Sequence, residues 1–143
     1  MATISIVFAA QQAAAEDCAV WSEGPTFPAK ELVAYATGIS PEDIVDAAGN
    51  ALAEVTAVLR RDRENFHFGA GPGRGDEPDS LFGDAANLRL FDGASVIFYC
   101  DWPTDSRESL AADILGARLE SRTHVTVYLR PDGTVALLIE AWG

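Results

Sequence analysis

The sequence predicts an α+β domain in which an antiparallel sheet of about five strands carries two long helices on one face. Asp-Gly turns at 92–93 and 132–133, each between β-branched or aromatic runs, predict two hairpins. Two stretches with apolar residues three or four positions apart predict amphipathic helices. Hairpin strands are antiparallel, and helices of this kind need a sheet face against which to bury their apolar stripe.

The first long helix is predicted to begin at Ser40, a good capping residue, with Pro41 at the first helical position. Its apolar stripe starts at Ile44 and ends at Leu59. Arginines follow as far as Arg63, where positive charge complements the negative end of the helix dipole. The pattern and the charges therefore predict the same helix.

The remaining elements are predicted from the residue types of shorter runs. β-Branched and aromatic residues favour strands, whereas alanine- and leucine-rich runs favour helical turns. These elements are an opening strand at 3–8, helical turns at 9–15 and 29–36, a hairpin at 88–100, a helix at about 105–122 and a hairpin at 124–142.

Residues 69–87 are rich in glycine, proline and aspartate and have no period. We interpret them as a surface loop inserted into a single domain that spans 1–143. Loops longer than about 12 residues without internal structure are commonly functional or disordered. This stretch is therefore the first place to look for a binding site.

The chain is strongly acidic, with 22 Asp and Glu against 10 Lys and Arg and a formal net charge of -12. Nucleic-acid affinity depends on cations that displace condensed counterions, so this charge argues against DNA, RNA or an anionic lipid surface as partners. A basic protein partner fits the sign of the charge. Solubility alone is the alternative explanation.

The two cysteines, Cys18 and Cys100, are too few for a disulfide framework. Cys100 ends an apolar run and is expected to be a small buried thiol in a reducing compartment. Residues 1–3 carry no Lys or Arg side chain, so we do not expect a signal peptide. No apolar run has the length of a membrane span, and a cytoplasmic location is expected.

The motifs that mark catalytic, metal or cofactor sites do not occur in the sequence. The alternating glycines at 69–75 lack the Gly-Lys-Ser/Thr of a phosphate loop, and the acids after them lack EF-hand spacing. Cys100 with His124 is a conceivable nucleophile pair, but an apolar setting raises the pKa of a thiol and makes it inert. The sequence therefore predicts no catalytic residue, no metal and no cofactor.

The functional residues predicted from the sequence lie in the acidic part of the loop. Carboxylates there can form an electrostatic patch for a basic surface, and two apolar residues can act as anchors inside the charged rim. The predicted partner-binding residues are Asp76, Glu77, Asp79, Leu81, Phe82 and Asp84.

Three tryptophans, Trp21, Trp102 and Trp142, each stand near the end of a predicted element. Packing in the core or at its rim is the expected role for all three. An exposed tryptophan is instead typical of an interface anchor.

These observations favour an acidic protein-binding module. Its most concrete form is an inhibitor or immunity-type protein that neutralises a basic toxin or enzyme by charge and shape complementarity. One alternative is a small enzyme or ligand-binding domain with a pocket between the sheet and a long helix. Another is an accessory subunit of a larger assembly, which predicts a large apolar patch or an open strand edge.

Overall fold

A computed structural model describes residues 17–73 and 75–142. The strands are β1 (Ala19–Val20), β2 (Gly24–Pro25), β3 (Lys30–Thr37), β4 (Ser95–Ile97), β5 (Arg122–Leu129) and β6 (Val135–Trp142). The main sheet has the order β3-β5-β6-β4, and β1 pairs with β2 separately. β3, β5 and β6 are antiparallel, whereas β4 runs parallel to β6. The α+β class is confirmed, but the main sheet of the described residues is mixed and has four strands.

The described residues also contain two α-helices and two 3-10 helical segments. In chain order they are the 3-10 segment Pro41–Ile44, α1 (Val55–Phe68), the 3-10 segment Ala85–Phe91 and α2 (Thr104–Leu115). Neither α1 nor α2 has the length and apolar character that crossing a lipid bilayer requires. The strand predicted at 3–8 and the helical turns predicted at 9–15 lie outside the described residues.

The C-terminal hairpin is confirmed. β5 and β6 pair along their whole length, and Gly133 supplies the positive φ of +88° that the turn between them requires. The N–H of Arg130 closes this turn by donating to the carbonyl of Thr134 at 2.9 Å. Residues 135–140 are all buried, because β6 has a strand on each side and packed layers on both faces.

The hairpin predicted at 88–100 is wrong. Its first half belongs to the 3-10 segment Ala85–Phe91, in which Leu88 and Phe91 are 5% and 1% exposed. Residues three apart lie on the same side of a 3-10 helix, so this geometry buries both side chains together. Burial therefore overrides the strand preference of the run. Only β4 forms in the second half, and it pairs with β6 instead of with residues 88–91.

The helix predicted to start at Ser40 is interrupted by a turn. Ser40 precedes a single 3-10 turn, and α1 begins only after a further stretch of loop. In that loop the carboxylate of Asp46 accepts the N–H groups of Ala48 and Asn50, both at 2.9 Å, and Gly49 has a φ of +86°. A side chain that binds its own backbone offers an alternative to the helical hydrogen bonds. The apolar period in this region therefore spans two separate elements.

Two further elements differ from their predicted form. The helical turns predicted at 29–36 are part of β3, in which the alternate residues Tyr35 and Thr37 are buried. The helix predicted at 105–122 ends at its C-cap Gly116, and Ala117 beyond it has a φ of +52°. A positive φ at a residue with a side chain breaks the helical path.

Different layers cover the two faces of the sheet. One face shares a core with both helices and with the loop before the second 3-10 segment; its members include Tyr35, Val58, Leu59, Phe82, Leu110, Ile114, Val125, Val127, Leu137 and Ile139. The second cluster includes Ala19, Ile97, Tyr128, Ala136 and Leu138, with Phe27 and Tyr99 packed against it. The segment around β1 and β2 therefore forms part of the second layer.

Phe82→Ala is expected to lower the free energy of unfolding by about 3–5 kcal/mol, because truncating a buried aromatic ring leaves a cavity. Phe82 has no exposed surface, and its ring lies 4.5 Å from that of Phe91. Phe68→Ala is the matched control, since Phe68 is 54% exposed and its truncation should cost less than about 1 kcal/mol. Urea unfolding of the two variants measures the difference, and equal losses would contradict the placement of Phe82.

Candidate functional site

The predicted partner-binding residues lie in the acidic loop, defined here as residues 69–84, and a buried arginine ties this loop to the sheet. Arg63, on α1, has no exposed surface. Its Nε lies 3.0 Å from Asp62, and its Nη1 lies 2.9 Å from Asp79 and 2.9 Å from the carbonyl of Glu77. An unpaired charge in the interior is strongly destabilising, so the guanidinium depends on these partners.

Aromatic rings cover the guanidinium of Arg63 as well. Its carbon lies 4.2 Å from the ring centroid of Tyr35 and 4.5 Å from that of Phe66, within the range of cation–π attraction. Its Nη2 donates to the hydroxyl of Thr37 at 3.1 Å. Burial acts to lower the pKa of Arg63, but the negative charge of Asp62 and the hydrogen bonds to its carboxylate partners raise it overall. The guanidinium therefore stays charged.

The carboxylate of Asp79 is buried and is bound by other groups of the protein. Its side chain is 0% exposed and receives Arg63 Nη1, and the Nε2 of His67 lies 2.7 Å away. The backbone N–H groups of Leu81 and Phe82 also donate to it. Burial acts to raise the pKa of Asp79, but the hydrogen bonds from Phe82, His67 and Arg63 bring it below its usual range. Asp79 therefore offers no charge to a partner.

Asp76 and Glu77 hold the acidic loop against β3. Asp76 accepts the N–H of Gly38 at 2.9 Å. One oxygen of Glu77 accepts the N–H of Ala36 at 3.0 Å, and the other lies 3.3 Å from Arg122. Asp76 is half-buried and Glu77 is exposed, and each makes contacts within the chain.

The other three predicted residues have different environments. Phe82 is part of the core, which corrects its expected role as an anchor in an exposed rim. Leu81 is half-buried against the same core, and Asp84 is exposed and accepts the N–H of Ala86 at 3.0 Å. A role for the loop in partner binding stays a prediction, and it now depends on its exposed carboxylates, of which Glu77 is one.

Cys18 and Cys100 form a disulfide with an S–S distance of 2.06 Å. The expectation of two separate thiols is therefore wrong. The pair of Cys100 with His124, already disfavoured by the sequence, is excluded as a nucleophile pair because the sulfur of Cys100 is in the disulfide. Backbone hydrogen bonds reinforce the link: the N–H of Ala19 donates to Phe98 at 3.0 Å, and the N–H of Cys100 donates to Ala19 at 2.8 Å. The disulfide thus joins the β1–β2 segment to the chain after β4.

Both joined segments carry aromatic rings at the surface. Trp21, in the turn between β1 and β2, is 66% exposed, and its ring lies 5.5 Å from that of Tyr99. Trp102 continues the row at 6.4 Å from Tyr99 and 6.1 Å from Phe98. Tyr99 donates its hydroxyl proton to Glu140 at 2.9 Å, and burial together with Glu140 raises the pKa of this phenol. We call Trp21, Tyr99, Trp102 and Phe98 the aromatic strip.

An open cleft of about 590 Å³ lies beside Trp102, between α2 and β6. Arg107 on α2 fixes the preceding segment by donating to the carbonyl of Trp102 at 3.0 Å. The residues that line the cleft are Trp102, Pro103, Asp105, Ser106, Ser109, Leu110, Asp113, Leu119 and Ala141. This lining combines apolar side chains with two carboxylates and two serine hydroxyls, and no Lys, Arg or His is among the described residues that line it. Its chemistry fits a ligand that is apolar and positively charged.

Two further carboxylates, Asp101 and Glu108, lie close in sequence to residues that line the cleft. Asp101, Asp105 and Glu108 are exposed, and among the described residues they form no ion pair. Asp113 forms a long contact of 3.4 Å with the exposed Arg118. We call the aromatic strip, the cleft and these carboxylates the aromatic–acidic site. In the described part of the chain, this site combines one exposed ring, Trp21, with three half-buried rings and with available negative charge.

Reasoning from the sequence missed this site because it assigned Trp21 and Trp102 to packing. A usable signal was present: Trp21 follows Cys18 by three residues, and Trp102 follows Cys100 by two. Had the cysteines been paired, both tryptophans would have been placed in one region. The pairing was not predicted, because two cysteines are fewer than a disulfide framework usually contains.

Comparisons with protein-family models, with curated proteins and with solved structures found no match to this chain. No family membership or activity follows from them. The chemistry of the aromatic–acidic site is therefore the basis for proposing a function.

Arg63→Met is expected to lower the free energy of unfolding by about 3–5 kcal/mol, because it leaves the carboxylate of Asp79 buried without its counter-charge and removes the N–H that donates to Asp62. Arg118→Met is the matched control: its ion pair is exposed, and its loss should cost less than about 1 kcal/mol. Urea unfolding at neutral pH measures both. A loss for Arg63→Met no larger than that of the control would show that the loop is not held by this ion pair.

Proposed function

We propose that this protein is an acidic binding module that takes a cationic segment of a basic partner protein at the aromatic–acidic site. The observation that carries the proposal is the exposed ring of Trp21, held beside Tyr99 by the disulfide of Cys18 and Cys100. Tryptophan is enriched among the residues that dominate binding energy at interfaces. A rigid ring binds at a lower entropic cost than a ring on a mobile turn.

The chemistry of the site fits lysine or arginine side chains flanked by an apolar residue. A cation over the face of Trp21 or Trp102 gains about 0.5–1 kcal/mol at an exposed site and more when water is excluded. The carboxylates of Asp101 and Asp105 are close in sequence to Trp102 and can pair with the same cation. An apolar neighbour in the partner segment then fits against the lining of the cleft.

The charge of the whole chain adds to this local chemistry. A net charge of -12 attracts a basic partner over the distance of a Debye length, which raises the association rate and makes it sensitive to salt. The same charge opposes binding to nucleic acids and anionic membranes. We therefore propose a protein partner and no nucleic acid or membrane.

An inhibitor or immunity-type protein is the most concrete form of this function. Enzymes and toxins that act on polyanions carry basic clefts, and an inhibitor can present carboxylates where the anionic substrate lies. Asp101, Asp105 and Glu108 are free of ion pairs with other described residues and so are available for such a contact. The aromatic strip beside them supplies the apolar contact that charge alone lacks.

We propose an oxidising compartment as the place of action, in place of the cytoplasm expected from the sequence. Disulfides form and persist in oxidising environments and are rare in the cytosol. The pair of Cys18 and Cys100 holds the two segments of the aromatic strip together. The proposed function therefore depends on conditions that keep this bond oxidised.

Binding of a small molecule is the second candidate function, and the cleft between α2 and the sheet favours it. Its volume of about 590 Å³ is within the range of ligand sites, and its lining combines apolar side chains with Asp105 and Asp113. A small aryl ammonium ion such as phenethylammonium then binds by itself, and it shifts the indole NMR signal of Trp102 but not that of Trp21.

A short peptide of arginine and leucine is expected to bind at low salt and to shift the indole NMR signals of Trp21 and Trp102. Its counterpart with glutamate in place of arginine is expected not to bind, because the charges repel. Trp21→Ala should weaken binding by about tenfold or more, which is the size of a hot-spot contribution. Phe68→Ala is the matched control and should bind like the parent, because Phe68 is an exposed ring outside the site.

Equal binding of the two peptides would contradict the electrostatic part of the proposal. An affinity that does not change in Trp21→Ala would contradict the aromatic part. NMR shifts confined to residues with exposed carboxylates in the acidic loop would instead place the peptide-binding site in that loop, as predicted from the sequence.

The double variant Cys18→Ser/Cys100→Ser is expected to lose about 4 kcal/mol of unfolding free energy, because the disulfide closes a loop with a sequence separation of 82 residues. It should also lose peptide affinity, since Trp21 is no longer held beside Tyr99. Urea unfolding of the variant and of the parent, with and without reductant, measures the loss of unfolding free energy. Two free thiols in the native protein, or a parent that reductant leaves unchanged, would be incompatible with the disulfide and with the proposed compartment.

A further inference from the structure

A single hydroxyl group in the interior lies against two carboxyl groups. The Oγ1 of Thr37 lies 2.7 Å and 2.8 Å from the two oxygens of Asp62, and 2.7 Å from Oδ1 of Asp76. A hydroxyl has only one proton to donate. If both carboxyl groups were ionised, one of them would face the oxygen of Thr37 without a hydrogen between them. One of the two therefore carries a proton.

The hydrogen bonds around the pair place this proton on Asp62. Asp76 accepts the N–H of Gly38 at 2.9 Å and that of Gly73 at 2.6 Å, one at each oxygen, as an ionised carboxylate does. Asp62 is only 1% exposed, and its Oδ2 accepts from the Nε of Arg63 at 3.0 Å. Its Oδ1 is then the oxygen that donates to Thr37.

This assignment satisfies every group. Thr37 accepts from the protonated Asp62 and from Nη2 of Arg63, and it donates its own proton to Asp76. A hydroxyl can accept two hydrogen bonds and donate one, so its capacity is fully used. Removing one proton leaves this arrangement with one donor too few.

We propose that the proton shared by Asp62, Thr37 and Asp76 is a pH-sensitive latch that holds the acidic loop against β3. The loop also pairs with the edge of β3, where the N–H of Glu77 donates to the carbonyl of Ala36 at 2.8 Å. Loss of the proton weakens the hold of Asp76 and, with it, this neighbouring pair. The latch is independent of the function proposed above.

Loosening the loop changes a second cleft, of about 610 Å³, whose lining includes Gly38, Gly75 and Arg122. Gly75 belongs to the loop and Gly38 directly follows β3, so the latch joins two walls of this cleft. The β-carbon of any other residue at position 75 would lie 3.0 Å from the side chain of Arg122, which shows how closely the walls approach. Release of the latch therefore widens the cleft and uncovers the backbone of β3 at Ala36.

Charged and titratable groups face Asp62 from each element packed against it. They are Arg63 on α1, Tyr35 on β3, Asp43 in the first 3-10 segment, and Asp76 and Asp79 on the acidic loop. Burial raises the pKa of Asp62 to about 7; Arg63 and the hydrogen bond with Thr37 act to lower it, and Asp43 and Asp76 act to raise it further.

The sign of the pH dependence follows from this raised pKa. The closed form binds the proton more tightly than an opened form in which Asp62 has its ordinary pKa near 3.8. The latch is therefore complete at low pH and is lost as the pH rises through about 7. Between pH 3.8 and about pH 7 the equilibrium constant for closing falls about tenfold per pH unit, and above about pH 7 it levels off.

Hydrogen exchange followed by NMR tests the latch on the intact chain. In the parent, the protection factors of the Gly38 and Glu77 amides are expected to fall about tenfold per unit from about pH 5 to pH 7 and then to level off. In Asp62→Asn the side-chain amide donates to Thr37 at every pH, so the fall should disappear. Asp132→Asn is the matched control, because Asp132 lies in an exposed turn, and it should keep the slope of the parent.

Protection that does not change with pH in the parent, or a slope that persists in Asp62→Asn, overturns the proposal. The carboxyl carbon signal of Asp62 in the parent gives a second measurement that does not depend on whether the variant folds. A titration midpoint near 7 supports the latch, and a midpoint near its ordinary value of 3.8 overturns it.

Discussion

The buried guanidinium of Arg63 is the interaction on which the rest of this structure depends. It lies between α1, β3 and the acidic loop, and each of these elements supplies part of its surroundings. A charge without access to water requires compensation by other charges and by hydrogen bonds. Asp79 provides the charge, Asp62 accepts a hydrogen bond from Nε, and Tyr35 provides an aromatic face. A loop with the composition of a solvated connection therefore places one carboxylate, that of Asp79, and one ring, that of Phe82, in the interior.

Because some carboxylates are buried, the net charge of the sequence does not by itself show which carboxylates a partner can reach. Asp43, Asp62 and Glu140 are buried, and Asp79 forms a buried ion pair with Arg63. The net charge of -12 still sets the long-range field. The carboxylates available for specific contacts are a smaller set, and several of them belong to the aromatic–acidic site. The disulfide gives that site its shape, because it joins the two segments that carry the rings.

The sequence could predict the elements whose determinants are local. The β5–β6 hairpin has both alternation and an Asp-Gly turn within one short stretch, and it was predicted correctly. The 3-10 segment at Ala85–Phe91 could not be predicted in this way, because the joint burial of Leu88 and Phe91 depends on the distant elements that form the core. Arg63 was assigned to the end of a helix dipole, and nothing in its neighbourhood indicates a partner 16 residues away. The disulfide likewise links positions that no local pattern connects.

A double-mutant cycle between Arg63 and Asp79 tests the central role of the buried ion pair most directly. The unfolding free energies of the parent, Arg63→Met, Asp79→Asn and the double variant give the coupling between the two side chains. A coupling of about 2 kcal/mol or more is predicted, because the two groups lie 2.9 Å apart without exposed surface. Additive losses, with a coupling below about 0.5 kcal/mol, would contradict the view that Arg63 holds the acidic loop in place.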